Sequence, residues 1–182
     1  MKKVFVLLAV VLFVFGAAAF ADNGSSDDWG GEETIYENCI STNVWPWAVG
    51  LYNIGYERML GSSISIRPRA TYWGLIDLGG ASLFALGGDV FFHPMGKGVK
   101  GWFMGPRYDV WIATGEGATG MMHFIGAQAG HKFIFEGGFA LGISLGAQIN
   151  IANTLSYEGE SESLGVLGGT MPCFDLELAW AF

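Results

Sequence analysis

Eight charged residues recur at alternate positions along separate segments of this 182-residue chain: Glu57, Arg67 and Arg69, Asp89, Arg107 and Asp109, and Asp175 and Glu177. Paired carboxylates in one cleft could do acid-base chemistry, because their environments push one towards the protonated form and leave the other ionised. Carboxylates facing arginines across a narrow space do something else: they form a lattice of buried ions, each requiring its partner. The sign alternates from Glu57 through Arg67 and Asp89 to Arg107, which favours the lattice and a structural role. The three histidines, in "HPM" at His93, "HFI" at His123 and "HKF" at His131, read as solvent-accessible or interfacial side chains. No His-Glu-x-x-His or Cys-x-x-Cys pattern offers a zinc site, and "GDVFFHPMGKG" lacks the spacing of a phosphate-binding loop. The acids of "YEGESES" lack the EF-hand order and read as a solvated loop. The expectation is therefore no catalytic residue, no metal and no cofactor.

Those charges must be positioned by strands. "GLYNIGYER" sets Tyr52, Ile54 and Tyr56 against Asn53, Gly55 and Glu57, and "SISIRPRATYW" sets Ile64, Ile66, Ala70 and Tyr72 against Ser65, Arg67, Arg69 and Thr71. "GFALGISLGAQINI" opposes Phe139, Leu141, Ile143, Leu145, Ala147, Ile149 and Ile151 to Ala140, Gly142, Ser144, Gly146, Gln148 and Asn150. This period of two, repeated along the chain, predicts strands at about 34–45, 48–58, 63–73, 82–92, 101–112, 121–132, 138–151 and 171–182. Residues 152–170 are read as the one long connection. The segment at 121–132 is the least regular, because Phe124 falls on the small-residue face.

The chain opens with "MKK", the apolar run "VFVLLAVVLFVF" and the small-x-small sequence Ala19-Phe20-Ala21. This reads as a signal peptide over residues 1–21, too short to span a bilayer as a helix. An acidic, glycine-rich lead-in covers 22–33 and a barrel domain 34–182. Loss of Lys2 and Lys3 leaves seven basic against seventeen acidic residues, a formal −10, which argues against nucleic acid as a partner. The chain is 51% hydrophobic and 14% charged, where soluble domains have about 25% charged residues.

Two architectures suit eight alternating strands. A soluble lipocalin-like barrel turns its apolar face inward around a ligand; a transmembrane barrel turns it outward. The interior of an eight-stranded barrel is only wide enough for side chains to fill. The bulky residues lie on the apolar face, whereas Gly55, Gly87, Gly105, Gly126, Gly130, Gly142 and Gly146 lie on the other with the charges, so the apolar face is expected outside. Trp45, Trp47, Tyr56, Tyr72, Trp73, Trp102, Trp111 and Trp180 gather towards strand ends, as interfacial girdles do.

On these features the chain resembles the small bacterial outer-membrane β-barrels, the eight-stranded class that includes OmpX and the membrane domain of OmpA. The marks are the signal, the alternation and the ending "LELAWAF", in which Phe174, Leu176, Leu178, Trp180 and Phe182 are similar to the C-terminal signal of the barrel-assembly machinery. "NVWPWAVGLYNIGYERML" and "GHKFIFEGGFALGISLGAQINI" are similar to segments of a little-characterised family of small outer-membrane proteins. The resemblance implies an all-β, eight-stranded antiparallel up-and-down transmembrane barrel in the bacterial outer membrane, with lipid and the assembly machinery as partners and a monomeric state. With Phe182 on the periplasmic side, the inner turns hold Arg58, His93, Lys97, Lys100, His131 and Lys132. The outer loops hold Asp77, Glu116, Glu158, Glu160 and Glu162. Cys39 and Cys173 fall on the first and last strands, neighbours in a closed barrel, and either form a disulfide across the seam or remain free thiols.

Some barrels of this size modify lipid A, yet this sequence has no His-x-Ser pair of the deacylase type and no recognisable match to the palmitoyltransferase type. The leading expectation is a barrel with a filled lumen and a structural or surface-interaction role in the envelope. The alternatives are a narrow pore, a lipid-modifying enzyme, and a soluble periplasmic lipocalin-like binder.

Overall fold

The computed structural model describes residues 35–73, 82–95, 98–115, 117–157, 160–163, 165–166 and 169–182. The signal peptide and acidic lead-in, and the loop positions Asp77, Lys97, Glu116 and Glu158, lie outside the described residues. Among the described residues nine strands follow one another: β1 (Asn38–Asn43), β2 (Leu51–Met59), β3 (Ile64–Trp73), β4 (Ser82–Phe92), β5 (Gly101–Gly115), β6 (Ala118–Ile134), β7 (Phe139–Tyr157), β8 (Glu160–Ser163) and β9 (Thr170–Ala181).

Each strand pairs antiparallel with its neighbour, and β1 pairs with β9, closing an eight-stranded up-and-down barrel from β1 to β7 and β9. β8 is an addition to that ring, a four-residue strand folded back on the far end of β7. Asn38 and Phe182 exchange backbone hydrogen bonds of 3.0 and 2.9 Å, so both described ends of the chain meet at one mouth, here called the terminal mouth. The opposite mouth carries the turns after β1, β3, β5 and β7.

The strand count of eight around the ring holds, and several boundaries move. The first strand is six residues rather than twelve. It stops at Asn43 because Trp45–Val49, containing Pro46, forms a 3-10 turn, and proline supplies no backbone donor for a ladder. The side chain of Asn43 completes the seam: its Oδ1 accepts from the Leu176 amide at 3.0 Å and its Nδ2 donates to Asp175 Oδ1. Residues 152–170 are a partial correction. β7 runs on to Tyr157 and β8 answers it, so β5, β6 and β7, with 15, 17 and 19 residues, extend well past the shorter strands.

A bulge explains the poor alternation near Phe124. His123 pairs with Ala152 and Phe124 with Asn150, leaving Ile151 as the extra residue. An inserted residue reverses the parity of everything beyond it. Inward positions on β7 are therefore Gln148 and Asn150 below the bulge, then Asn153 above it, all buried. The Asn150 side chain donates from Nδ2 to the His123 carbonyl at 3.1 Å, beside the bulge.

Candidate functional site

The strand parity sets two surfaces of opposite character. Outside lie Ile54, Ile64, Leu86, Phe92, Trp102, Ile125, Phe139, Leu145, Ile149 and Trp180, every one of them exposed, Leu145 by 66%. Inside lie Glu57, Arg67, Asp89, Asp109, Gln128, Lys132, Asp175 and Glu177, each buried to 7% exposure or less. The strands thus turn most of their ions into the barrel and most of their large aliphatic and aromatic side chains to the exterior.

The eight charges singled out from the sequence all face the interior, and seven of them come together. Arg67 donates from Nε to Asp89 Oδ2 at 2.8 Å and from Nη1 to Glu177, and its guanidinium carbon lies 4.7 Å from the centre of the Phe91 ring. Arg69 bridges Asp89 and Asp109 at 2.8 and 2.9 Å. Arg107 continues the chain to Asp109 at 2.9 Å and Asp175 at 3.0 Å, and also donates to Gln128 Oε1 at 3.1 Å. Seven of the eight form one continuous alternation of acid and base across the lumen, from Glu177 through Arg67, Asp89, Arg69, Asp109 and Arg107 to Asp175. Inward positions two residues apart on β3, β5 and β9 place these charges in two adjacent layers. Such an arrangement orders side chains that share partners, and its cost of desolvation is met only while every ion keeps its counter-ion.

Glu57 belongs to a second group nearer the terminal mouth. Its carboxylate accepts from Lys132 Nζ, from Ser65 Oγ at 2.8 Å, and lies 3.1 Å from His93 Nε2. His93 Nε2 is also 2.9 Å from Ser65 Oγ. Two expectations are corrected here. His93 is fully buried rather than accessible, and Lys132 is an interior ion rather than a turn residue. The physical reason is strand parity: Asp89, Phe91 and His93 face the same way, as do Gln128, Gly130 and Lys132, so the inward face continues to the strand ends. Serine, histidine and glutamate in contact suggest nucleophile chemistry, but the geometry differs from that of a relay. Serine and carboxylate share one imidazole nitrogen, whereas a relay needs the carboxylate on Nδ1 and the serine on Nε2. All three side chains are 1% exposed or less.

Bulk is not confined to the outer face. Phe91 and Phe103 are bulky and fully interior, their rings 4.7 Å apart. They fill the space beside Gly130, where the glycine leaves room for the edge of Phe103. Of the aromatic residues expected in girdles, Trp45, Trp47, Tyr56, Tyr72, Trp102 and Trp180 are exposed. Trp73 and Trp111 instead share the parity of Arg69 and Asp109, and Trp73 Nε1 donates to the Val49 carbonyl at 2.8 Å.

Cys39 and Cys173 are free thiols. Although β1 and β9 are neighbours, Cys39 pairs with Ala181, and Cys173 lies eight residues further along β9, about 26 Å at roughly 3.3 Å per residue. A disulfide requires Cα atoms within about 7 Å, so this seam cannot be bridged. The C-terminal residues Phe174, Leu178, Trp180 and Phe182 lie on the outward parity of β9 or at its end, and Leu176 shares that parity but is covered.

The chain is a closed, eight-stranded antiparallel β-barrel with an ionic interior and an apolar exterior. Comparison with protein-family models, with curated proteins and with solved structures finds no significant match.

Proposed function

We propose that this protein is an integral β-barrel of the bacterial outer membrane with a filled lumen and a structural or surface-interaction role in the cell envelope. The observation that carries the reading is the pairing of an exposed apolar wall with an interior occupied by ion pairs. A soluble barrel of lipocalin type would use the wall residues to line a cavity and present the charges to water. Here hydrocarbon is the partner that the exterior suits, since exposed apolar patches on soluble monomers rarely exceed a few hundred Å². Closure of the ring supports it as well, because a spanning sheet must leave no unpaired edge in lipid.

The filled lumen argues against a pore. Arg67, Arg107, Gln128 and Gln148 project into a space that an eight-stranded ring leaves only just wide enough for side chains. The role proposed is non-enzymatic, and the long strands β5 to β7 with β8 are the part offered to partners beyond the bilayer. Detergent extraction of membranes, followed by electrophoresis with and without boiling, tests the assignment. Retention in the membrane fraction and a heat-dependent change in mobility are expected. Release by buffer alone, with identical mobility in both lanes, would instead favour a soluble binder.

A further inference from the structure

The terminal mouth is covered by two pieces of chain that belong to no strand. Residues 35–37 lead into β1, and Gly98, Val99 and Lys100 lead into β5. They are joined to each other by the Val99 amide donating to the Tyr36 carbonyl at 3.0 Å, and to the barrel by the Met59 amide donating to the Glu37 carbonyl at 2.8 Å. Beneath them lies an apolar layer of Cys39, Met59, Val99, Ala140, Ala179 and Ala181, with Tyr36 and Ile134 packed against it. Gly98 has a φ of +66°, and a side chain there would run into the Tyr36 carbonyl. The turn is therefore shaped to bring the two backbones together. Immediately inside this layer are Lys132, Glu57 and His93, and Lys132 Nζ lies 3.8 Å from Cys39 Sγ.

We infer that Ile35–Glu37 and Gly98–Lys100 form a lid that seals the terminal mouth, a barrier distinct from the ion lattice and separately removable. The lattice holds the middle of the lumen with charges fixed to strands, whereas the lid is apolar on its inner side. By the contacts described, one backbone hydrogen bond, from Met59 to Glu37, ties it to the barrel, the Val99–Tyr36 bond joins its two pieces, and Val99 and Tyr36 pack on the apolar layer. Segments held by few contacts open locally without global unfolding. A burial layer of this kind also keeps water from the Glu57–Lys132 pair, whose electrostatics strengthen as water is excluded. The barrel is then a vessel closed at the end where Asn38 and Phe182 meet. The inference depends on barrel closure and applies equally whether the exterior meets lipid or water.

The two native thiols report on it. Cys39 is fully buried directly under the lid, and Cys173 faces inward eight residues further along the last strand and is half-buried. The experiment uses the full folded chain in single-thiol backgrounds, Cys173→Ala to read Cys39 and Cys39→Ala to read Cys173, with a hydrophilic maleimide as probe. Cys39 is expected to react slowly in the parent. It should gain about tenfold or more in rate when Val99→Gly or Gly98→Ala loosens the lid, with Cys173 changed by less than about twofold and Val99→Ile restoring protection. Circular dichroism and the denaturant midpoint establish that each variant is folded, and the two lid substitutions act by different means, so failure of one leaves the other. Protection of Cys39 that survives both folded lid variants would overturn the inference, as would a parent in which Cys39 reacts as fast as in the loosened forms.

Discussion

Replacing Arg67 by methionine removes the most enclosed cation of the lattice while keeping most of its volume. Arg67 is 1% exposed and is the described ion-pair partner of Glu177, whose second oxygen, Oε2, has no hydrogen-bond partner among the described residues. Asp89 fares better, since Arg69 also reaches its Oδ2 at 2.8 Å. The substitution therefore strands one buried carboxylate rather than two. Breaking a buried pair from one side costs about 3–5 kcal/mol, because an uncompensated ion is left behind. Loss of the Arg67–Phe91 cation–π contact adds about 0.5–2 kcal/mol. If Glu177 is the cause, Arg67→Met with Glu177→Leu should recover most of the loss, since a buried pair replaced by apolar residues is often neutral. Urea unfolding in detergent micelles, followed by tryptophan fluorescence, measures all four corners of the cycle. A single variant within about 1 kcal/mol of the parent would refute the reasoning, and so would a double variant no more stable than the single one.

Three further outcomes follow from particular contacts. Gly105→Ala places a methyl group against the Val90 carbonyl and should destabilise by about 1–3 kcal/mol, whereas Gly61→Ala, with open space around it, should fall within about 0.5 kcal/mol of the parent in the same assay. Asn43→Ala leaves the buried Leu176 amide without its acceptor at the seam, a cost of about 1–3 kcal/mol, and hydrogen exchange at Leu176 should quicken while amides in the β6–β7 ladder keep their protection. Thiol titration of the unfolded chain, without prior reduction, should find both cysteines reactive; fewer would contradict the register that separates them.

The face assignment could be read from residue types because alternation depends only on chain geometry: Leu145 between Ser144 and Gly146 declares its side wherever the neighbouring strand lies. The ion lattice was visible for the same reason, at Arg67, Asp89, Arg107 and Glu177. His93 and Lys132 sit at the ends of the segments expected as strands at 82–92 and 121–132, and counting turns back from Phe182 places them in the turns, although the parity running from Asp89 through Phe91 is already sufficient to bring His93 inside. The bulge at Ile151 had only one local sign, the aromatic Phe124 on a small-residue face. A bulge is a property of two strands in register, and one strand does not specify it. Register likewise decides the cysteines. Adjacency of β1 and β9 is a matter of topology, but the eight-residue offset between Cys39 and Cys173 arises from where the six-residue β1 meets its longer partner. The lid at the terminal mouth had no periodic signal at all, being held by backbone groups of Tyr36, Glu37 and Val99.

In the proposed function the exposed wall meets hydrocarbon. Trp102 and Trp180 stand on that wall, more than half exposed, and serve as built-in probes. Quenching of tryptophan fluorescence by phospholipids brominated along their acyl chains, with protein reconstituted into vesicles, reads contact with lipid directly. The account predicts strong quenching that diminishes in a Trp102→Phe, Trp180→Phe variant. Fluorescence unaffected by brominated lipid, with the protein remaining in the aqueous phase, would contradict it.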